Sequence, residues 1–345
     1  MTGIQAGPAG MIRGRDHVAV TETCRPEDAG EVGGKAVGLG SLLRAGQRVP
    51  PSFVVTAAAY REYVRSRPRA LSPAARESIR RCYLSLCERH GTDLVVAVRS
   101  SATVEDSAEA SWAGQFRTFL GASGADDVIA QVEECWAAAL DPRVGAYRAG
   151  HRPGDDAGND GGVAVIVQEL VDARSAGVMF TQHPKTGDRS LVVIESSYGL
   201  GEAVVGGEVV PDLLEINKIT GQRHRAHLGA KQVEHRLVAG SGRGGGVQEV
   251  PVDPARQQEW SISEPEVSAL AAMAADLEAR LGRGLDVEWA IGATGSTGGA
   301  EALFALQVRP ITVAPPPHAP AGKDRDAIGH ILGRLAGRPP ESGTG

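Results

Sequence analysis

Two segments near the C-terminal end do most to limit what this chain can fold into. Leu285-Asp-Val-Glu-Trp-Ala-Ile291 and Leu303-Phe-Ala-Leu-Gln-Val-Arg309 alternate with a period of two, the pattern of strands with one buried face. On the first, Leu285, Val287, Trp289 and Ile291 share a face, and Asp286 and Glu288 take the other. On the second, Phe304, Leu306 and Val308 share a face, while Gln307 and Arg309 lie opposite with the small Ala305. If the two strands pair with their apolar faces together, Glu288, Gln307 and Arg309 converge on one polar patch. A carboxylate and an amide oxygen suit magnesium, and an arginine beside them suits phosphate oxygens. The same pattern also fits a solvated sheet face carrying a surface ion pair.

Upstream, helical and strand signals alternate. Residues 1–31 read as a loose, glycine-rich N-terminus. Val32–Gly46 then reads as a glycine loop running into a short helix, closed by Gly46. Helices are expected around Ala57–Arg65, at Pro73–His90 capped by Ser72, near Asp126–Leu140, and at Glu264–Leu281 behind a Ser263–Glu266 capping box. Ala75, Ile79, Cys82 and Leu86 mark the core face of the second of these. Leu94–Val98 is a short apolar run like a strand buried on both faces, ending at Arg99. Further strands are expected at Val163–Gln168, Gly177–Thr181, Leu191–Glu195 and Val209–Asn217. His151–Gly162, rich in Gly and Asp, reads as a hinge or loop. Gly221–Gly246, which holds His224, His227 and His235, reads as a solvated basic loop rather than a metal site.

Composition excludes several classes. With 345 residues, 42% of them hydrophobic and 23% charged, the chain is globular and sized for about two domains. No apolar run approaches the ~18–20 residues of a membrane span, and Met1–Arg15 lacks a signal-peptide core. A cytoplasmic protein without a membrane partner is therefore expected. Four cysteines lack CxxC spacing, which favours structural thiols over zinc or disulfides. A net charge of −6 and only 14 aromatic residues argue against nucleic acid.

Other candidates for chemistry are local. Lys35 follows Gly33-Gly34 at a helix start, where free N–H groups favour an anion. The GxxxxGK[ST] pattern is absent, so this is no P-loop. Arg99 opens a Ser-Ser turn at a strand end, a common ligand-facing position. Ser111–Thr118 is a second glycine turn rich in donors. Gly199-Leu-Gly-Glu202 is only a fragment of a dinucleotide fingerprint, and a Rossmann site is rejected.

Taken in order, Gly33-Gly-Lys35, Val49–Phe53, Val98-Arg-Ser-Ser-Ala102 with Glu105-Asp106, and Ser111–Thr118 form one series. Gly177–Thr181, Ile194–Glu202, Pro211-Asp212, Asp286–Ala290 and Leu306–Thr312 continue it. This series resembles the nucleotide-binding module of the phosphoenolpyruvate synthase and pyruvate phosphate dikinase family, also found in rifampicin phosphotransferase. The resemblance implies an α/β (α+β) bilobal ATP-grasp fold with two α/β lobes around an ATP cleft. With the boundary set at the Gly- and Asp-rich run, lobe 1 is expected at 32–150, a hinge or loop at 151–162, lobe 2 at 163–312, and a proline-rich linker and short tail at 313–345.

The resemblance further implies ATP and Mg2+ as cofactors. Lys35 and Arg99 match phosphate-contacting positions, and Gly114, Gln115 and Thr118 lie on a phosphate-covering loop. Gln168, Glu169, Leu170 and Val171 match the segment that meets the adenine. Glu288 and Gln307 match metal ligands, and Arg309 matches the arginine beside the γ-phosphate; Lys35, Arg99 and Arg309 would be the catalytic set. The family passes the β-phosphoryl to a histidine on a swivelling domain, leaving AMP and phosphate. No such domain is apparent after Thr312, so a phosphohistidine partner on a separate chain and a final small-molecule acceptor are expected. The alternatives are a free-standing kinase acting directly on a small molecule, and a non-catalytic ATP-sensing module. The chain departs from the family at Arg117, at Gln182-His183, and in an enlarged hairpin at Gly292–Ala300.

Overall fold

Thirteen strands among the described residues form two antiparallel sheets and one separate ribbon. The computed structural model describes residues 16–90, 94–102, 118–140, 162–238, 246–282, 284–293 and 302–311, all within one compact unit. The first sheet holds β1 (Val18–Val20), β2 (Ser52–Val55), β3 (Val95–Ala102), β4 (Thr118–Ser123) and β5 (Val163–Glu169) in the order β1-β2-β5-β3-β4. The second holds β6 (Ala173–Phe180), β7 (Leu191–Tyr198), β8 (Asp212–Asn217), β9 (Arg223–His227), β12 (Leu285–Gly292) and β13 (Leu303–Pro310). Its order is β13-β12-β6-β7-β8-β9. β10 (Val233–Leu237) and β11 (Val247–Pro251) pair only with each other. This is the mixed α/β, two-lobed arrangement that the sequence motifs imply. Among the described residues no helix is long and apolar enough to cross a membrane.

Alternation along the strands sorts the cores. One face of the first sheet buries Val96, Val98, Val163, Val165 and Val167 against α2 (Ala57–Arg65), α3 (Pro73–His90) and α4 (Ala125–Ala139). The other face presents Val54, Ala164 and Ile166 to α1 (Ala29–Arg44), whose Val32, Ala36, Leu39 and Leu42 also join the core of the second sheet. That core is closed by Val267, Leu270, Ala274 and Leu277 of the helix Glu264–Leu281. The helix bounds match the sequence signals closely. Ser263 and Glu266 make both halves of the capping box, and Gly282 adopts φ 71 at the C-terminus. Ser72 accepts from the Ala75 N–H at 3.2 Å. On α3, Tyr83 and Cys87 are buried with Ala75, Ile79 and Leu86, whereas Cys82 is only half-buried. Burial pushes the Cys24 thiol up to about 12, which suits a structural role.

Several expectations are corrected. Residues 16–31 are not loose: β1 pairs with β2, the Thr56 N–H donates to His17 O at 3.0 Å, and Arg44 donates to Cys24 O at 2.7 Å. Helix α1 begins at Ala29 and is interrupted at Gly33, so Lys35 stands in the first turn after the break. β3 runs on to Ala102, leaving Arg99 mid-strand instead of at its end. β5, expected to open the second lobe after the 151–162 hinge, lies between β2 and β3 in the first sheet. Its unbroken apolar run suits a central strand buried on both faces. The basic stretch 221–246 is not all loop, because β9 and β10 form within it. The tail 313–345 and residues 1–15 lie outside the described residues.

Candidate active site

Glu288 of β12 and Gln307 of β13 are direct cross-strand partners, and so are Asp286 and Arg309. Cross-strand partners share a face, so these four side chains lie together as the alternation requires. Gln307 donates to the Glu288 carboxylate at 3.3 Å and is 7% exposed, which removes the solvated-face reading for that pair. Arg309 is different: its side chain is 63% exposed and its Nε donates to Asp286 at 2.7 Å. The facing of the second strand departs from expectation. A bulge shifts the register between Glu288 and Trp289, so Trp289 pairs with Ala305 and Ala290 with Phe304. The extra residue is Leu306, and it reverses the parity beyond it. Ala305 joins Val308 in the core, while Phe304 and Leu306 turn to the face that carries Glu288.

That turn builds an apolar wall beside the polar row. Val171, Ala173, Ala176, Leu200, Ala290 and Phe304 pack together, with Leu170 and Leu306 against them. The chain passes from β5 into this wall through Glu169, whose N–H donates to Pro51 O, and Leu170, whose N–H donates to Val95 O, both at 2.9 Å. Gln168 is 2% exposed, and its Nε2 is buried without a hydrogen-bond partner. It shares the inner face of the first sheet with Arg99, one strand over and two residues along.

Arg99 joins the two lobes. Its Nη1 lies 3.4 Å from Glu288 Oε2, and both side chains are less than one-fifth exposed. Its Nε is buried without a hydrogen-bond partner. Lys35 Nζ donates to the carbonyl of Ser100, next in sequence to Arg99, at 3.2 Å. Gly33 explains why glycine precedes this lysine. Its φ of 77° and ψ of 163° lie where only glycine is comfortable, and a Cβ there would run into the Ser101 carbonyl. Thr118 opens β4 opposite Arg99 and is exposed. Gly114, Gln115 and Arg117 lie outside the described residues.

Two carboxylates on this face carry no role in the sequence reading. Asp286 holds Arg309; burial pushes its carboxyl above the usual range, the Arg309 guanidinium opposes this, and Glu288 adds to it. Glu195 stands in the row of Glu288 through Val178. Burial raises its carboxyl too, and the charge of Asp286 adds to the shift. Asp286 could have been found as the cross-strand partner of Arg309. Glu195 sits on β7, three strands from β13 in the sheet, and left no local signal.

The chain matches the model of the pyruvate phosphate dikinase AMP/ATP-binding domain over residues 67–328. A probable phosphoenolpyruvate synthase of Methanothermobacter thermautotrophicus is 37% identical over 332 residues, which cover 86% of this chain and 46% of that protein. The prodigiosin synthesizing transferase PigC of Serratia marcescens is 34% identical, over 83% of this chain and 32% of its own length. A rifampicin phosphotransferase of Streptomyces sviceus is 33% identical, over 87% and 36%. The chain thus spans less than half the length of each of these relatives.

Proposed function

The chain belongs to the pyruvate phosphate dikinase AMP/ATP-binding domain family, and from that membership we propose that it binds ATP between its lobes and donates phosphoryl from it. The observation that carries this reading is the contact of Arg99 with Glu288, itself bonded to Gln307. A guanidinium from one sheet thereby meets an oxygen-donor pair from the other. Lys35 and Arg99 are assigned to phosphate oxygens, and Arg309, beside Asp286, to the terminal phosphate. Gly114, Gln115 and Thr118 are assigned to the loop over the phosphates. The backbone of Gln168–Val171 and the apolar wall suit a flat, uncharged base.

Glu288 and Gln307 fit magnesium, since a carboxylate and an amide carbonyl are hard oxygen donors that leave positions for water and phosphate. Bound there, the ion would supply neutralisation of phosphate charge. The work left to the protein is positioning: Lys35 and Arg99 align the triphosphate, and the apolar wall keeps water from the base. No protein nucleophile is required within this chain.

The finer reading is of dikinase type. A histidine on a separate swivelling domain takes the β-phosphoryl, water takes the γ-phosphoryl, and AMP and phosphate leave. The test incubates the full chain with β- and γ-labelled ATP and a candidate histidine-domain protein. The β-label is expected on the partner histidine, with AMP and labelled phosphate in solution. Glu288→Gln is expected to slow transfer by about 10²–10³-fold. Label that stays in ATP with every partner would overturn the proposal. A direct kinase acting on a small molecule is the second reading, motivated by relatives named for rifampicin and prodigiosin. ADP as the product would favour it.

A further inference from the structure

Outside the nucleotide cleft, one group of ligand-type side chains is assembled by the β10–β11 ribbon. His235 on β10 and Glu249 on β11 are direct cross-strand partners, and Glu208 follows the short helix Glu202–Val205. Their ligand atoms all lie within 4.8 Å of one another. His235 Nε2 is 3.1 Å from Glu208 Oε2 and 3.8 Å from Glu249 Oε2. Two ligands held tetrahedrally at ~2.0–2.1 Å from one zinc ion stand roughly 3.3 Å apart, so these separations bracket the value for a shared ion.

Carboxylates alone would not make a site, and the imidazole supplies the second observation. Its side chain is 11% exposed, and Nδ1 is buried without a hydrogen bond. A third carboxylate, Glu202, stands 3.7 Å from that Nδ1, beyond hydrogen-bond reach. Metal-bound histidines commonly direct the second ring nitrogen to such a carboxylate. Among the described residues no lysine or arginine pairs with Glu202, Glu208 or Glu249, whereas neighbouring Glu234 is satisfied by Arg236 and Arg256. The carboxylates of Glu208 and Glu249 are open to solvent, which gives an ion a way in.

We propose that Glu208, His235 and Glu249 form a site for one divalent transition-metal ion of zinc type, with Glu202 orienting the imidazole. The nitrogen donor selects zinc-like ions over magnesium, which prefers oxygen alone. The role is structural. The ribbon touches the site region through the Leu200 N–H, which donates to His235 O at 2.9 Å, and Leu200 belongs to the apolar wall of the cleft. A bound ion would fasten both ribbon strands to the turn after the helix Glu202–Val205, the helix that follows Leu200.

The full chain, stripped with chelator, is titrated with zinc chloride in excess magnesium, and hydrogen exchange is followed over residues 233–251. One high-affinity equivalent is expected, with slowed exchange in the ribbon. His235→Gln should weaken zinc binding by at least about tenfold, while Glu288→Gln leaves it unchanged. Should His235→Gln fail to fold, the exposed pair Glu208→Gln with Glu249→Gln carries the same expectation. Equal zinc affinity in parent and ribbon variants, or zinc lost in Glu288→Gln alone, would overturn the site.

Discussion

Lys231 and Asp212 form an ion pair at 2.6 Å with both side chains fully buried. Asp212 also accepts from the N–H of Gly229, and from the N–H and hydroxyl of Ser261. Lys231 has two further acceptors, the carbonyls of Gly229 and Gln257. Removing one partner strands the other charge, at a cost of about 3–5 kcal/mol. The carboxylate keeps three neutral donors and the ammonium keeps only carbonyls, so Asp212→Asn should destabilise more than Lys231→Met. Urea midpoints check this, and the reverse order would refute it. Glu195 supplies a pH prediction. Its carboxyl is raised by burial, so the folded state holds the proton more tightly than the unfolded state does. The associated stability is present below the ordinary carboxylate range and is lost as pH rises through the raised value. Wild-type stability should therefore fall across that window relative to Glu195→Gln, as thermal melts at a series of pH values would show. Parallel curves would remove the effect.

At the scale of elements, α1 is two helical pieces joined at Gly33, and the join sets where Lys35 points. Gly33→Ala would force an alanine into a backbone region costing about 1–3 kcal/mol and drive its Cβ against Ser101. The expected outcome is lower thermal stability and weaker ATP binding together. Gly30 is the control: it is exposed in the same helix with nothing within 4 Å of an added Cβ, so Gly30→Ala should be stabilising by about 0.5–1 kcal/mol. Equal effects at the two positions would refute this account. The same comparison shows what was legible in the residues. Caps, helix periodicity and strand alternation are local, and α2, α3 and the Glu264–Leu281 helix fall on the expected residues. The glycine before Lys35 was visible as a motif, but its reason, the approach of Ser101, depends on a distant strand, β3. The Leu306 bulge was hidden for a related reason: leucine serves either face, and only pairing with β12 decides the parity. β5 carried a strand signal with no mark of which sheet it would join. Lys231 fell in a stretch that read as solvated because its buried partner, Asp212, lies on β8, far from it in sequence.

For the whole molecule, the nucleotide reading requires the lobes to act on one ligand. Arg99 belongs to the first sheet and Glu288 to the second, and they meet at 3.4 Å. Alone, such a largely buried pair contributes little net stability, because desolvating both charges offsets their attraction. Its importance lies in what each half would bind, phosphate for the guanidinium and metal for the carboxylate. Mg-ATP at 100 times its Kd should stabilise the folded chain by about 2.7 kcal/mol, seen as a rise in melting temperature. Arg99→Met and Glu288→Gln should each remove most of that rise. Because both act through the same bound ion–phosphate unit, the double variant should lose little more than either single one. Without ligand, the melting temperatures of the three variants should stay close to that of the parent. If the losses add, or if ATP stabilises the double variant as it does the parent, then the nucleotide does not bridge the two sheets. The Arg99–Glu288 contact would then be only an ion pair between the two sheets.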